Sequence, residues 1–333
     1  MIDPTMQRRK LVRLAAAALL AGRGVAQAQG RATKQPVGIG FVGSVPFATW
    51  PLRAAFAEAM RERGWVEGVH YAMHAVSYEG RGERIPIVAA ELVQRRPDVI
   101  VAGGTPPVAA LMRLTSTIPI VFVGAVDPVA DGFVASIARP GGNVTGLGGL
   151  GQGVLTKQLE LLTRAAPRAE RIGIVFNPDL RAHATGRLEV DAAAAGLGVQ
   201  LRPVALRAPD EIAAAARALL RERVDAVHFF AQPFFNAHRH RLAALALEHR
   251  WPAVSGFEED ARAGILLFYG ARLEDAVRRV PYYLDRILTG TPPAELPVEQ
   301  PSRFYLTMNL KTARALGLAL PRSLLMQATE VIE

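Results

Sequence analysis

Short apolar runs rich in β-branched residues alternate along this chain with longer stretches in which apolar residues recur every three or four positions. The first pattern predicts buried strands and the second predicts amphipathic helices. In the first part of the chain the predicted strands are residues 37–42, 71–78, 99–102 and 120–123. The predicted helices between them are residues 52–63, 84–94 and 108–114. This alternation is typical of a parallel sheet covered on both faces.

Residues 139–146 interrupt the alternation, because glycine and proline are too dense there for regular structure. We therefore predict that the chain crosses to a second lobe at this point. The alternation then restarts, with strands at 171–176, 199–204, 227–230, 253–255, 265–268 and 304–309 and helices at 181–195, 211–221, 237–248 and 274–288.

The predicted fold class is therefore α/β, with two similar lobes hinged by several crossings. We expect the first lobe to comprise residues 29–142 and 271–303, and the second to comprise 143–270 and 304–333. Open parallel sheets bind ligands beyond the carboxyl ends of their strands, so the cleft between the lobes is the expected site.

The first 28 residues have the layout of a secretory signal peptide. Basic residues at positions 8–13 precede an apolar run at 14–21, and a small-residue box follows at 26–28. The apolar run is about half of the roughly 20 residues that span a bilayer, so a retained anchor is not expected. We expect cleavage near Ala28 and a mature periplasmic protein. The pair Arg8-Arg9 loosely resembles a twin-arginine signal, which leaves the export route open between that pathway and Sec.

Composition excludes several classes of function. Hydrophobic residues make up 50% of the 333 residues and charged residues 21%, as in ordinary globular proteins. The net charge of +9 falls to about +5 without the signal, and no basic stripe with interleaved aromatics indicates a nucleic-acid partner. The chain has no cysteine, which excludes disulfides, thiolate metal sites and cysteine nucleophiles.

Two stretches match the dinucleotide-binding pattern G-x-G-x-x-G, at residues 38–43 and 146–151. The first lies inside a predicted strand rather than in the turn after it, so its glycines cannot bring a helix N-terminus to a pyrophosphate. We interpret them as positions of close packing. The second follows the predicted crossing, and we interpret it as a flexible hinge.

No histidine cluster has metal-ligand spacing. His70 and His74 lie on a strand about 13 Å apart, and His183 and His249 are expected on the surface of helices. A G-x-S-x-G nucleophile elbow is also absent from the sequence. The acidic triplet at 258–260 could supply a general base, hold a ligand ammonium or cap the next helix. These three alternatives remain open at the level of the sequence.

Hydroxyl, amide, carboxylate and aromatic side chains recur directly after the predicted strands, and no activated nucleophile lies among them. The candidate ligand-binding residues are Ser44, Phe47, Trp50, Thr105, Asp127, Asn177, Gln232, Phe235, Phe257, Glu258 and Tyr269. This set suits a small polar or aromatic molecule and indicates no chemistry performed on it. We therefore expect no enzyme activity, no cofactor and no metal.

Several phrases resemble the family of ABC-transporter substrate-binding proteins with the type I periplasmic binding fold, whose best-studied branch includes tryptophan- and tyrosine-binding components. They are AELV at 90–93, DVIVAGGTP at 98–106, TIPIVF at 117–122, ARPGGNVTG at 138–146, LPVEQP at 296–301 and NLKTARALGL at 309–318. The resemblance implies two Rossmann-like lobes, three crossings between them, and delivery of a ligand to a membrane permease. We expect the protein to be a monomer.

We interpret the chain as an exported solute-binding protein that closes its lobes on a small molecule. Thr105 and Ser44 are expected to hold a carboxylate through hydroxyls and helix N-terminal amides, unless Thr105 is only a helix N-cap. Glu258 or Asp127 is expected to pair with a ligand ammonium, and the aromatic candidates to enclose an apolar body. The alternative is a ligand-sensing subunit that docks a receptor kinase.

Overall fold

The computed structural model describes residues 35–125, 127–148 and 153–333. The first lobe is built on a parallel sheet in the order β2-β1-β3-β4-β5. Its strands are β1 (Val37–Gly43), β2 (Tyr71–Ser77), β3 (Val99–Gly103), β4 (Ile120–Ala125) and β5 (Val144–Gly148). Helices α1 (Arg53–Glu62), α2 (Ile85–Gln94) and α3 (Thr105–Leu114) connect the first four strands.

The second lobe is built on a larger sheet in the order β12-β11-β10-β9-β8-β6-β7. Its strands are β6 (Arg171–Phe176), β7 (Gln200–Ala205), β8 (Ala226–Phe229), β9 (Ala253–Ser255), β10 (Leu267–Gly270), β11 (Tyr305–Asn309) and β12 (Glu330–Ile332). Its helices are α4 (Val154–Ala165), α5 (Arg181–Leu197), α6 (Ile212–Arg221), α7 (Pro233–Ala237), α8 (Arg239–Glu248), α9 (Glu258–Ala263), α11 (Leu310–Leu316) and α12 (Arg322–Leu325). The pair β10 and β11 is antiparallel and the other pairs are parallel.

The predicted crossing at 139–146 needs correction, because Val144–Gly148 is the fifth strand of the first sheet. The glycines that indicated a break are what allow this strand to pair so closely. A Cβ atom on Gly146 would lie 2.2 Å from Phe122 O, and one on Gly148 would lie 2.3 Å from Ala125 O. The chain therefore leaves the first lobe after Gly148.

Two further crossings follow later in the chain. After β10 the chain returns to the first lobe as α10 (Leu273–Leu288), which packs against β4, β5 and α1. It then runs beside β5, where Glu299 exchanges backbone hydrogen bonds with Gly146 and Gly148. Beyond this segment β11 joins the second sheet, so three crossings connect the lobes within the described ranges.

Other differences from the predicted elements have local causes. Helix α3 begins at Thr105 rather than at residue 108, because proline is tolerated in the first helical turn. The stretch predicted as one helix at 237–248 is divided between α7 and α8 at His238. Helix α4 and strand β12 were absent from the prediction. Within the described ranges, no helix is long and apolar enough to cross a membrane.

Each lobe buries apolar residues on both faces of its sheet. The glycines at 38–43 serve this packing, as predicted. A Cβ on Gly38 would lie 3.2 Å from the His74 ring, one on Gly40 would lie 3.1 Å from Ile100 Cγ1, and one on Gly43 would lie 2.8 Å from Phe41 Cε1. The second glycine pattern begins inside β5, and Gly149–Gly151 lie outside the described residues.

Candidate ligand-binding site

A cavity of roughly 420 Å³ lies between the two lobes, at the carboxyl ends of their strands. We call it the cleft. Residues of the first lobe, the second lobe and the later crossings all line it. The first-lobe wall includes Thr105, Gly124 and Leu147, and the second-lobe wall consists of Leu180, Ala231, Gln232, Pro233, Gly256 and Phe257. A ligand in the cleft therefore contacts both lobes and the segments that hinge them.

The lobes approach each other closely beside this cavity. A Cβ atom on Gly104, at the start of α3, would lie 2.8 Å from Pro233 Cγ at the start of α7. A Cβ on Gly80, in the loop after β2, would lie 3.2 Å from Ala237 Cβ. Glycine at these positions lets the backbone of one lobe approach the side chains of the other.

Thr105 lines the cleft and contacts Asp131. Gly104 is the N-cap of α3, so Thr105 is not the cap. Its hydroxyl donates to Asp131 Oδ2 at 3.4 Å. Pro106 and Pro107 have no N–H group, so the first turn of α3 offers few of the amide donors expected there. Burial raises the pKa of Asp131, and the neighbouring Asp127 adds to this shift.

A hydrogen-bond chain holds Gln232 at the second-lobe wall. Asn177 Oδ1 accepts from Asp179 N at 3.0 Å, so its amide Nδ2 is the group that faces Gln232 Oε1, at 3.4 Å. His183 Nδ1 accepts from Asn177 N, and Nε2 therefore carries the proton that it donates to Ala231 O at 3.1 Å. The predicted surface position of His183 is wrong: the side chain is buried, which lowers its pKa to about 4.

Charged residues of the crossings form the polar edge of the cleft, and sequence reasoning missed them. Arg279 makes a two-pronged ion pair with Glu299, with Nη2 to Oε1 at 2.7 Å and Nε to Oε2 at 2.8 Å. Asp275 accepts a hydrogen bond from the Tyr305 hydroxyl at 2.8 Å. Arg303 is exposed and has no ion-pair partner among the parts of the chain that the structure describes.

The predicted role of Glu258 as an ammonium ligand conflicts with its contacts. Arg272 Nη2 donates to Glu258 Oε1 at 2.9 Å, and Arg262 Nη2 donates to it at 3.2 Å. Burial is the main cause that raises the pKa of this carboxyl, and its hydrogen bond with Glu330 raises the pKa further. Arg272 and Arg262 act in the opposite direction. Asp127 does not line the cleft; its Oδ1 accepts from Ala130 N at 3.0 Å within a turn.

The five predicted aromatic residues are divided between cavity and core. Phe257 lines the cleft. Phe47 and Phe235 lie in the cores of the first and second lobe, and Tyr269 stacks on Phe304 with ring centroids 6.0 Å apart. Phe47 and Phe235 lie in short helical segments that follow β1 and β8, whereas Tyr269 lies within β10.

A smaller chamber of roughly 100 Å³ adjoins the cleft, and we call it the apolar annex. The two cavities share Gly124, Pro233, Phe257 and Leu273. Trp50 and Ser44 line the annex rather than the cleft. The position of a residue after a strand does not predict which of the two chambers it lines. Residues within β3, β4 and α10 also form walls of the annex, and the strand-end pattern does not include them.

Two lobes of this kind, joined by three crossings around a ligand-sized cleft, constitute the type I periplasmic binding fold. The sequence model of the family described as ABC transporter substrate binding protein matches residues 49–332, and the chain belongs to this family. A tyrosine-binding protein of Clostridioides difficile (strain R20291) is 22% identical over 269 residues, which cover 80% of this chain and 76% of that protein.

Solved structures share the fold. A conserved domain protein from Vibrio cholerae is 25% identical with a TM-score of 0.81, and the match covers 90% of this chain and all of that chain. An ABC domain from Streptococcus pneumoniae in complex with L-Trp is 22% identical with a TM-score of 0.80, over 90% of this chain and 100% of that one. These likenesses agree with the family match and with the observed pair of sheets.

Proposed function

We propose that this chain is the exported solute-binding component of an ABC importer. It captures an amino acid or another aromatic or carboxylate-bearing solute in the cleft and delivers it to a permease in the inner membrane. The observation that carries the proposal is the cavity of roughly 420 Å³ lined by both lobes and by the crossings. A ligand that contacts both lobes favours the closed state by its differential affinity for it.

The charges along the cleft support a zwitterionic or carboxylate-bearing solute. Arg303 is exposed to the cavity and is available to a carboxylate, while Asp275 can accept an ammonium group in addition to the Tyr305 hydroxyl. In this proposal Arg303 takes the carboxylate-binding role expected of Thr105 and Ser44, and Asp275 takes the ammonium-binding role expected of Glu258 or Asp127. Gln232 and Phe257 supply the second-lobe side of the site.

The proposal includes export of the chain to the periplasm by the signal peptide predicted at residues 1–28. The signal at residues 1–28 lies outside the described residues. N-terminal sequencing of protein from a periplasmic fraction should begin at or near Gln29. Replacement of Arg8 and Arg9 by lysines should block export only if the twin-arginine pathway is used. Intact protein in the cytoplasm or in the membrane would contradict export.

A thermal-shift screen of the mature protein against amino acids, aromatic acids and nucleosides tests the binding function. A solute present at 100 times its dissociation constant should stabilise the protein by about 2.7 kcal/mol. Calorimetry of the wild type and of Arg303→Ala should then show a loss of affinity of about tenfold or more for a carboxylate-bearing hit. Arg322→Ala removes an exposed arginine that does not line the cleft and serves as the matched control.

The result that would contradict the proposal is a screen in which none of these solutes raises the unfolding midpoint. Equal affinities of Arg303→Ala and Arg322→Ala for a carboxylate-bearing hit would remove Arg303 from the site.

A further inference from the structure

The apolar annex differs in character from the cleft that it adjoins. Its walls are aromatic and aliphatic side chains of β1, β3, β4 and α10, together with Pro233 and Phe257 of the second lobe. The rings of Phe41 and Trp50 pack with centroids 5.1 Å apart along one side. Val277 and Val280 of α10 line it as well. The charged residues of the cleft do not border this chamber.

Ser44 and Asn236, which carry the hydroxyl and the amide side chain at the annex, have hydrogen-bond partners within the protein. The Ser44 side chain hydrogen-bonds with the Tyr78 hydroxyl, and Asn236 Nδ2 donates to Asp260 Oδ1 at 3.2 Å. The backbone is engaged too: Gly104 N donates to Val123 O, and Gly43 O accepts from Tyr78 N. A water molecule needs two to four polar partners to occupy a buried site, so these walls favour an apolar occupant.

Size limits the occupant. An apolar cavity of about 150 Å³ is known to hold benzene or xenon. The annex has roughly 100 Å³ and shares four lining residues with the cleft. A branched aliphatic chain or a single ring that protrudes partly into the cleft fits this space. A fused double ring exceeds it.

We propose that the annex is the subsite for the apolar group of the solute and that it selects solutes by the size of this group. The class of ligand is a carboxylate-bearing solute with a branched aliphatic or single-ring group, whose polar end lies at the crossing residues of the cleft. The inference rests on the proposed function, because the occupant is part of the bound solute. Pro233 and Phe257 belong to the second lobe, so filling the annex also favours closure.

Gly103 provides the sharpest test, because it lines the annex and not the cleft. The nearest atom to a Cβ built there is Val42 O at 3.7 Å, so a side chain has room without a clash. The series Gly103→Ala, Gly103→Val and Gly103→Leu should fill the annex step by step. Gly142→Leu is the control, since a Cβ at Gly142 meets nothing within 4 Å and this residue borders neither cavity.

The probes are L-alanine, L-leucine, L-phenylalanine and L-tryptophan. The deaminated counterparts of leucine and phenylalanine, 4-methylpentanoate and 3-phenylpropionate, are added to them. Calorimetry of the wild type should show the leucine- and phenylalanine-type probes binding at least tenfold more tightly than alanine and tryptophan. Gly103→Leu should lose this preference, and Gly142→Leu should retain it. Tryptophan binding as tight as that of leucine or phenylalanine, or an unchanged preference in Gly103→Leu, would overturn the proposal.

Xenon gives a readout that does not depend on the solute. Under xenon pressure, the 129Xe resonance of the wild type should show a bound component that Gly103→Leu lacks and Gly142→Leu retains. Absence of this component from the wild type would overturn the annex as an apolar site. Bound xenon without binding of any solute probe would support the annex and would contradict the proposed function for carboxylate-bearing solutes.

Discussion

At the scale of single residues, Asp260 illustrates how burial near the cleft raises the pKa of a carboxyl group. It lies in the first turn of α9 with 4% of its surface exposed and accepts a hydrogen bond from Asn236 Nδ2 at 3.2 Å. Burial is the main cause that raises its pKa to about 7, and the nearby Glu259 adds to the shift. The folded state therefore retains this proton over a range of pH in which the unfolded chain has lost it.

Asp260→Asn tests this assignment. Because the folded pKa of about 7 lies above the ordinary 3.8, Asp260 favours the folded state fully at low pH, and this contribution is lost as pH rises towards 7. The variant should be more stable than the wild type at pH 8, by on the order of 4 kcal/mol, and the difference should vanish near pH 4. Urea unfolding across this range measures it, with Asp210→Asn as an exposed control. A variant that is less stable at pH 8 would contradict the prediction.

At the scale of elements, one buried hydrogen-bonded pair ties α4 to two strands of the second sheet. Gln158 Nε2 donates to Tyr269 O at 2.6 Å, so its Oε1 is left to accept from His228 Nε2 at 2.7 Å. His228 is fully buried, and burial lowers its pKa to about 3, which keeps the ring neutral. The contact joins the helix that follows the first crossing to the strand that precedes the second.

Gln158→Met should destabilise the protein by about 1–3 kcal/mol, because the buried His228 side chain then loses its hydrogen bond to Gln158. The double variant Gln158→Met with His228→Leu removes both polar groups and should recover part of this loss. Urea unfolding of the two single variants and the double variant gives the coupling energy, expected at about 0.5–3 kcal/mol. Additive losses would show that the two side chains do not depend on each other.

At the scale of the whole molecule, closure of the lobes depends on backbone positions without side chains. Gly104 faces Pro233 across the cleft and has φ +81°. Gly68 has φ +80° in the same lobe, but a Cβ there meets nothing within 4 Å. The two glycines thus share a positive φ and differ in their contact with the second lobe, so Gly68 serves as the control for the backbone conformation.

Gly104→Ala should hold the lobes apart, whereas Gly68→Ala should not. Both variants should lose stability, since alanine is strained at positive φ. Only Gly104→Ala should weaken binding of a solute found by thermal shift, by tenfold or more, and show a larger radius of gyration at saturation in small-angle scattering. Equal affinity in both variants would indicate that this contact does not limit closure.

The alternation of apolar runs and helical patterns by itself determined the α/β class, strands β1 to β4, most of the second set of elements and the positions of the strand ends, because these depend on local periodicity. The quoted phrases identified the family. The tertiary structure decided which strand-end residues line a cavity: Thr105, Gln232 and Phe257 line the cleft, whereas Phe47 and Phe235 turn into the cores. It also brought together Arg279 with Glu299 and Arg272 with Glu330, which are 20 and 58 residues apart. No local pattern encodes such contacts, because they arise only when segments distant in the sequence fold against one another.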